Sequence, residues 1–393
     1  MSDRAERIEL PGYTIDLFVP QGSSRLVLLF PPMGIRPGHP DSAWGARFVR
    51  SLGMGALCVT PRRNDWYRGA DLLDWFGAGG FAAISREFDA HSFYGVSMGG
   101  YAACAFSAIV PGSTVLAYAP QSTLSPELVP WDRRYPEGSR QDWSGPWGDA
   151  ATSIVDAGQA ILVFDPFARN DQRHALRLAS PRTRMVLAPF LGHHAAERLA
   201  RLGAVKTIFR AVHAQPPALH ELAPLMRCRK DDPGYLTAVA RAPRTPWRIG
   251  LAAVTKASSF APDTVEVVMA EAEVRFRAGD FDRAARLARS ITDRKDEKQR
   301  NRHDAEIMMA RCTDAMGDTK AAIATLRALL ARQEDYRARM ALRRLIASAR
   351  GRVLPAQVSD SQRGALANAA PSVSETLEPV GKEASGLASD SGL

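Results

Sequence analysis

Short apolar runs alternate with longer mixed segments over the first half of the chain. Six runs are almost entirely apolar and predict buried strands, at residues 25–30, 56–60, 92–95, 114–119, 159–164 and 183–188. The segments between them are mostly long enough for helices, and this alternation is typical of a parallel sheet covered on both faces. Residues 13–19 alternate more and predict an outer antiparallel strand. We therefore expect an α/β fold with a mostly parallel, doubly wound sheet.

The pattern changes after about residue 215. Residues 218–260 predict only short helices, and from Asp263 onward the chain has helical spacing without strand signals. Residues 351–393 contain no aromatic side chain and cannot bury enough apolar area to offset the entropy of ordering. We predict an α/β domain over 1–215, a helical connector over 216–260, a helical-hairpin domain over 261–350 and a disordered tail over 351–393.

Two pieces of the helical region resemble each other. Gly279 and Gly317 are each followed by Asp, lie between helical stretches and precede an alanine by five residues. They are 38 residues apart, close to the period of about 34 of tetratricopeptide repeats. Residues 263–331 therefore resemble a pair of tetratricopeptide-type hairpins, which implies binding to a protein partner or self-association. Unrelated antiparallel helices joined at a glycine turn are the alternative.

Composition excludes several other classes. The net charge of +9 favours acidic partners, but the arginines are dispersed and no nucleic-acid-binding motif is present, so we expect no nucleic-acid partner. The four cysteines lie far apart, which predicts neither disulfides nor a zinc site. The N-terminus lacks the apolar core of a signal peptide, and no stretch approaches the ~20 apolar residues of a membrane span. We expect a cytoplasmic protein.

The strongest chemical motif is Gly95-Val-Ser97-Met-Gly99, between an apolar strand and a segment rich in small residues. A serine on such a sharp turn has a strained backbone, and side chains two residues before and after it would collide. The following helix N-terminus would favour negative charge that develops beside the serine. The motif predicts Ser97 as a nucleophile, with an inert glycine-rich turn as the alternative.

Residues 13–215 resemble the α/β-hydrolase superfamily. The motifs that carry the resemblance are residues 94–103 around Ser97, Ala-Pro-Gln-Ser at 119–122, Asp165-Pro with Asp171 following, and Gly-His193. The resemblance implies ester or acyl chemistry on a small-molecule or acylated-glycan substrate, without metal or organic cofactor. An acyltransferase of the same fold, or an inactive scaffold joined to a repeat module, are the alternatives.

The superfamily orders its triad as serine, acid and histidine along the chain. Asp165 directly follows a strand and would face the same sheet edge as Ser97, so we predict Asp165 as the acid; Asp171, which also fits a helix N-cap, is its rival. His193 follows the last strand and Gly192, and we predict it as the general base.

Two backbone amides are expected to form the oxyanion hole. One belongs to Met98, which follows the nucleophile. The other comes from the loop after strand 25–30, where two prolines have no N–H, so Met33 or Gly34 must donate; we predict Met33.

Two further features lie near this predicted site. The insert over residues 121–150 holds four aromatic side chains that would wall a pocket or pack a long loop onto the body. His174 lies beside the acid loop, where we expect a position on a helix surface.

Overall fold

The structure is a computed structural model that describes residues 3–353 of the 393-residue chain. Its sheet has eight strands, in the order β1-β2-β4-β3-β5-β6-β7-β8. They are β1 (Arg4–Glu9), β2 (Tyr13–Val19), β3 (Arg25–Phe30), β4 (Gly55–Pro61), β5 (Ala90–Val96), β6 (Thr114–Tyr118), β7 (Gln159–Phe164) and β8 (Thr183–Leu187). β2 is antiparallel to β1 and β4, and all other neighbouring strands are parallel.

Helices occupy most of the remaining chain. Those between the strands are α1 (Ala46–Arg50), α2 (Ala70–Gly77), α3 (Gly80–Ser85), α4 (Met98–Phe106), α5 (Pro136–Ser139), α6 (Ala150–Ser153) and α7 (Arg169–Arg177). Those after the sheet are α8 (Ala195–Arg201), α9 (Ala204–His213), α10 (Leu222–Leu225), α11 (Pro233–Arg241), α12 (Trp247–Phe260), α13 (Val265–Arg277), α14 (Phe281–Thr292), α15 (Gln299–Ala315), α16 (Thr319–Arg332) and α17 (Tyr336–Val353).

Both faces of the sheet are covered. On β3, Leu26, Leu28 and Phe30 belong to one buried core, whereas Val27 and Leu29 belong to the other. Because successive side chains of a strand point to opposite faces, an entirely apolar strand needs packing partners on both sides. The predicted α/β class, with its mostly parallel doubly wound sheet and a helical region after it, is therefore confirmed.

The antiparallel edge differs from the prediction. β2 is antiparallel, as expected, but it is not the outer strand, because β1 pairs with it from Arg4 opposite Val19 to Glu9 opposite Thr14. The sequence of β1 is mostly charged and largely exposed, so it carries no apolar strand signal.

Over the described residues, the chain divides into two compact units, 3–312 and 313–353. The predicted domain boundaries at 215 and 260 stay predictions. In the first unit, α11, α12 and α13 pack together and α13 packs against α14. In the second, α16 packs against α17. The tetratricopeptide resemblance and its partner-binding role stay predictions.

The repeated Gly-Asp pairs have a local physical explanation. Gly279 and Gly317 have φ values of 82° and 101°, which favour glycine. Asp280 then caps α14 by accepting the Arg283 amide, and Asp318 caps α16 in the same way. Each pair therefore ends one helix and begins the next.

Membrane-spanning helices and metal-binding clusters are both absent from the described residues. Within residues 3–353, no helix combines the length and apolarity that a membrane span requires, and no metal-binding cluster of histidine, cysteine or acidic side chains occurs. α17 continues to Val353, three residues into the segment predicted as a tail. The rest of that predicted tail, residues 354–393, lies outside the described part of the chain.

Candidate active site

Ser97 lies on the turn between β5 and α4. Its φ of 54° and ψ of −115° are unusual for a residue with a side chain. The Ser97 amide donates to the Tyr118 carbonyl at 2.8 Å, and the Ser97 carbonyl accepts the Tyr101 amide at 2.9 Å. These bonds fix the strained backbone at both its ends, in the sheet and in the helix.

The two glycines of the motif are required by close backbone approach. A Cβ atom on Gly95 would lie 2.0 Å from the Gly99 carbonyl oxygen. A Cβ atom on Gly99 would lie 1.9 Å from the Phe30 carbonyl oxygen at the end of β3. Both obstacles are backbone atoms, so no side-chain movement would relieve them, and the spacing of the motif follows from sterics.

His193 and Asp171 continue from Ser97 in a hydrogen-bonded chain. His193 Nε2 lies 2.8 Å from Ser97 Oγ, and His193 Nδ1 lies 2.9 Å from Asp171 Oδ2. The Asp171 side chain is completely buried, whereas His193 is 23% exposed. Burial raises the pKa of Asp171, but the hydrogen bond from His193 and the charge of Arg134 outweigh it, so that this pKa lies below its ordinary value. Asp171 is therefore ionised at neutral pH.

Asp165, the acid that the sequence predicts, does not hydrogen-bond to His193. Its Oδ1 accepts the Phe167 amide at 2.9 Å, and its Oδ2 accepts the Gly192 amide at 2.7 Å. Both oxygens therefore hold loop backbone. The carboxylate that reaches the imidazole is Asp171, the rival candidate, which lies in the first turn of α7 and does not cap that helix.

The two expected oxyanion donors lie on different elements, Met98 in α4 and Met33 in the loop after β3. Met98 is the first residue of α4. Met33 and Ser97 line the same cavity. The Gly34 amide donates to Asn64 Oδ1 at 3.2 Å, whereas the Met33 amide has no acceptor among residues 3–353. This difference agrees with the choice of Met33, whose role stays a prediction.

Tyr135, from the insert, brings a second hydroxyl to the histidine. Its Oη lies 3.0 Å from His193 Nε2, the nitrogen that also faces Ser97. Burial raises the pKa of Tyr135 above its ordinary value, so the phenol is neutral. A neutral imidazole whose Nδ1–H donates to Asp171 has one lone pair at Nε2. The two hydroxyls therefore share one acceptor.

A network of charges supports Asp171 from behind. Arg134 Nη1 lies 2.7 Å from Asp171 Oδ1, while Arg134 Nη2 lies 2.7 Å from Asp132 Oδ2. Asp132 Oδ2 lies 2.9 Å from His174 Nε2. The Ser122 amide donates to His174 Nδ1 at 3.1 Å, so His174 carries its proton on Nε2 and donates to Asp132. Sequence reasoning missed this network, since its members are up to 52 residues apart.

His174 corrects our expectation of a surface position. Its side chain is fully buried, and burial lowers its pKa below the ordinary value. The cause is the packing of the insert over α7, where the Trp131 ring lies 4.6 Å from the imidazole. His174 is neutral and both of its ring nitrogens are hydrogen-bonded, so we interpret its role as structural.

The other insert aromatics pack onto the domain. The Trp147 ring lies 5.5 Å from that of Phe106 in α4, and Trp143 Nε1 donates to the Gly138 carbonyl at 3.0 Å. Of the four aromatic side chains in the insert, Tyr135 is the one that lines the cavity beside Ser97.

Comparisons with known proteins add the following similarities. No protein-family model matches the chain, and no curated protein matches it. A dienelactone hydrolase from Anabaena variabilis is 17% identical, with a TM-score of 0.37, and the match covers 56% of this chain and 98% of that one. The fluorophosphonate-binding serine hydrolase F of Staphylococcus aureus is 11% identical, with a TM-score of 0.38 and coverages of 52% and 97%. A serine hydrolase without lid from Xanthomonas campestris is 16% identical, with a TM-score of 0.35 and coverages of 55% and 97%.

The eight-stranded sheet and the strand-to-helix turn that carries Ser97 define an α/β-hydrolase fold. An all-helical region follows this fold along the chain.

Proposed function

We propose that this protein is a serine hydrolase that cleaves an ester or related acyl bond. Ser97 is its nucleophile, His193 its general base and Asp171 the acid that orients the imidazole. The observation that supports this most directly is the continuous hydrogen-bonded chain from Asp171 Oδ2 through the imidazole to Ser97 Oγ. A nucleophile, a base within hydrogen-bond reach and a third group that orients the base form the general pattern of covalent acyl transfer.

The first half of the reaction acylates the enzyme. Ser97 Oγ attacks the carbonyl carbon while His193 Nε2 takes the hydroxyl proton, and the Asp171 carboxylate stabilises the imidazolium. The amides of Met98 and Met33 stabilise the oxyanion, each by about 10²–10³-fold in rate. His193 then gives the proton to the leaving oxygen, and the alcohol departs.

The second half releases the acyl group. A water molecule attacks the acyl-enzyme, and His193 accepts one of its protons. When the tetrahedral intermediate collapses, that proton returns to Ser97 Oγ. The carboxylic acid leaves, and the enzyme is regenerated.

A fluorophosphonate probe tests the nucleophile. We expect the wild-type protein to form a covalent adduct on Ser97, and we expect no adduct in Ser97→Ala, both read by mass spectrometry of the labelled peptide. A folded wild-type protein that stays unlabelled would overturn the proposal and favour an inactive scaffold.

The adjacent histidines provide a matched pair for the base. His194 is 75% exposed and lies 3.6 Å from Glu197, away from the hydrogen-bonded chain. We expect His193→Ala to abolish p-nitrophenyl acetate turnover and His194→Ala to retain most of it. The opposite ranking would contradict the role of His193.

A further inference from the structure

A cavity of about 940 Å³ extends from Ser97 over one face of the sheet. Residues of α1, α8 and α9 line it together with the carboxyl-end residues of β3 and β5. Its volume lies near the upper end of the range for small-molecule sites, which is roughly 300–1,000 Å³. The substrate of the proposed hydrolase therefore has far more room than an acetyl group requires.

One wall of the cavity is aromatic. The Tyr94 ring lies 5.3 Å from that of Trp44 and 5.6 Å from that of Phe209, and the Phe209 ring lies 5.4 Å from that of Phe48. Tyr94 and Val96 alternate along β5, so they point to the same face of the sheet. The apolar surface therefore continues along this strand up to the nucleophile.

Small residues line another part of the cavity. Ala196 and Ala200 are four residues apart on α8, so they lie on the same helix face. Both line the cavity, as does Gly203 after the helix. Long side chains at these positions would fill part of the cavity.

The polar side chains that line the cavity are few, and they lie either at the reacting end or at the exposed surface. Ser97, Tyr135 and His193 belong to the hydrogen-bonded chain at the reacting end. Three others, His194, Glu197 and Lys206, are exposed, and the Lys206 ammonium lies 5.4 Å from the Phe48 ring centroid. A sugar bound in the apolar part would leave its hydroxyl groups without partners, at a cost of about 1–3 kcal/mol each.

We propose that this cavity binds an apolar acyl chain, so that the enzyme acts on esters or thioesters of medium- to long-chain fatty acids. The inference rests on the proposed function, because it places the acyl carbonyl at Ser97. At roughly 30 Å³ per carbon, similar to the volume of a water molecule, a dodecanoyl chain fits in less than half of the cavity. Burial of the methylenes of this chain supplies binding energy that an acetylated substrate does not have.

A series of p-nitrophenyl esters tests the chain-length preference. We expect kcat/KM to rise from acetate through butyrate to octanoate and dodecanoate, by up to about fourfold for each methylene that enters the cavity. A series that stays flat or falls from acetate onward would overturn the inference while the hydrolase proposal survives. A protein without ester turnover or fluorophosphonate labelling would instead refute the proposed function.

Substitutions in the lining locate the chain. We expect Ala196→Phe and Ala200→Trp to lower the ratio of dodecanoate to acetate kcat/KM by at least tenfold. Thr207→Trp is the matched control, because Thr207 is exposed on α9 and does not line the cavity. An unchanged ratio in both cavity variants would place the chain elsewhere and refute the inference.

Direct binding separates the cavity from the chemistry. We expect the Ser97→Ala protein to bind the fluorescent fatty acid cis-parinaric acid, with displacement by dodecanoate and not by acetate. The Ser97→Ala, Ala196→Phe double variant should bind it at least tenfold more weakly. Absence of binding to the folded Ser97→Ala protein would contradict the inference.

Discussion

Replacement of Arg134 by alanine is expected to weaken the fold and the catalytic site together. One guanidinium joins Asp171 of the site to Asp132 behind it, with N–O distances of 2.7 Å to each carboxylate. Both aspartate side chains are fully buried, whereas that of Arg134 is 28% exposed. The variant therefore removes the shared cation and leaves two carboxylates that water does not reach.

The size of the effect follows from the partners that remain. Loss of one member of a buried ion pair costs about 3–5 kcal/mol. Asp171 keeps its bond to His193, and Asp132 keeps those to His174 and Asn170. We therefore expect a loss of about 3 kcal/mol in the free energy of unfolding, at the lower end of this range.

The catalytic effect has a defined pH dependence. The positive charge of Arg134 is one of the causes that lower the pKa of Asp171. In Arg134→Ala this pKa rises, so the fraction of Asp171 that is protonated and cannot stabilise the imidazolium increases as the pH falls. We expect kcat/KM to fall about tenfold at neutral pH, equivalent to about 1.4 kcal/mol, and to fall further as the pH is lowered.

Urea unfolding and p-nitrophenyl acetate kinetics measure the two effects. Arg133→Ala is the matched control, because Arg133 is exposed and lies outside the network. Arg134→Lys should have an unfolding free energy and a kcat/KM between those of Arg134→Ala and Arg133→Ala. An ammonium keeps the charge but lacks the planar fork that spans both carboxylates. If Arg134→Ala and Arg133→Ala have equal unfolding free energies and equal kcat/KM, the supporting role of the network is refuted.

Two further predictions concern the acids and a buried histidine. Asp171→Asn should lower kcat by about 10⁴-fold, because the imidazole would be held in the wrong tautomer, whereas Asp165→Asn should cost at least a hundredfold less; the reverse order in steady-state kinetics would restore Asp165 as the acid. Burial lowers the pKa of His213 from 6.5 to about 4, so the unfolded chain binds more protons between these values, and the contribution of His213 to stability is complete above about pH 6.5 and is lost as the pH falls towards 4. Between pH 7 and pH 4, the free energy of unfolding should therefore fall by up to about 3 kcal/mol more in the wild type than in His213→Phe. Equal decreases for the two proteins in urea titrations would contradict this.

The parallel part of the sheet was predictable because each of its strands is a nearly continuous apolar run. Such a run is stable as a strand only when both faces are covered, which fixes the fold class before any pairing is known. β1 was not predictable in this way. It lies at the edge, its outward residues meet solvent, and its pairing with β2 includes an ion pair from Arg7 to Asp16 at 2.6 Å. That stabilisation depends on a partner strand, so it produces no hydrophobic periodicity in the sequence of β1 itself.

The residues of the candidate site also differ in whether the local sequence predicts them. Ser97 and His193 follow from local rules, because a steric glycine pattern and a Gly-His loop after the last strand are both visible in the sequence. The choice between Asp165 and Asp171 is not local. It depends on how far the chain travels between β7 and the first turn of α7, and on the guanidinium of Arg134, 37 residues upstream of Asp171. Neither appears in a short window of sequence.

The two aspartates hold the same histidine loop through different atoms. Asp171 bonds the His193 imidazole, whereas Asp165 accepts the amide of Gly192, the residue before it. The first carboxylate therefore acts on the charge and tautomer of the base, and the second acts on the position of its backbone. Asp165 follows β7 and so meets the positional criterion for a triad acid, but both of its oxygens accept loop amides, and the imidazole is bound by Asp171 instead.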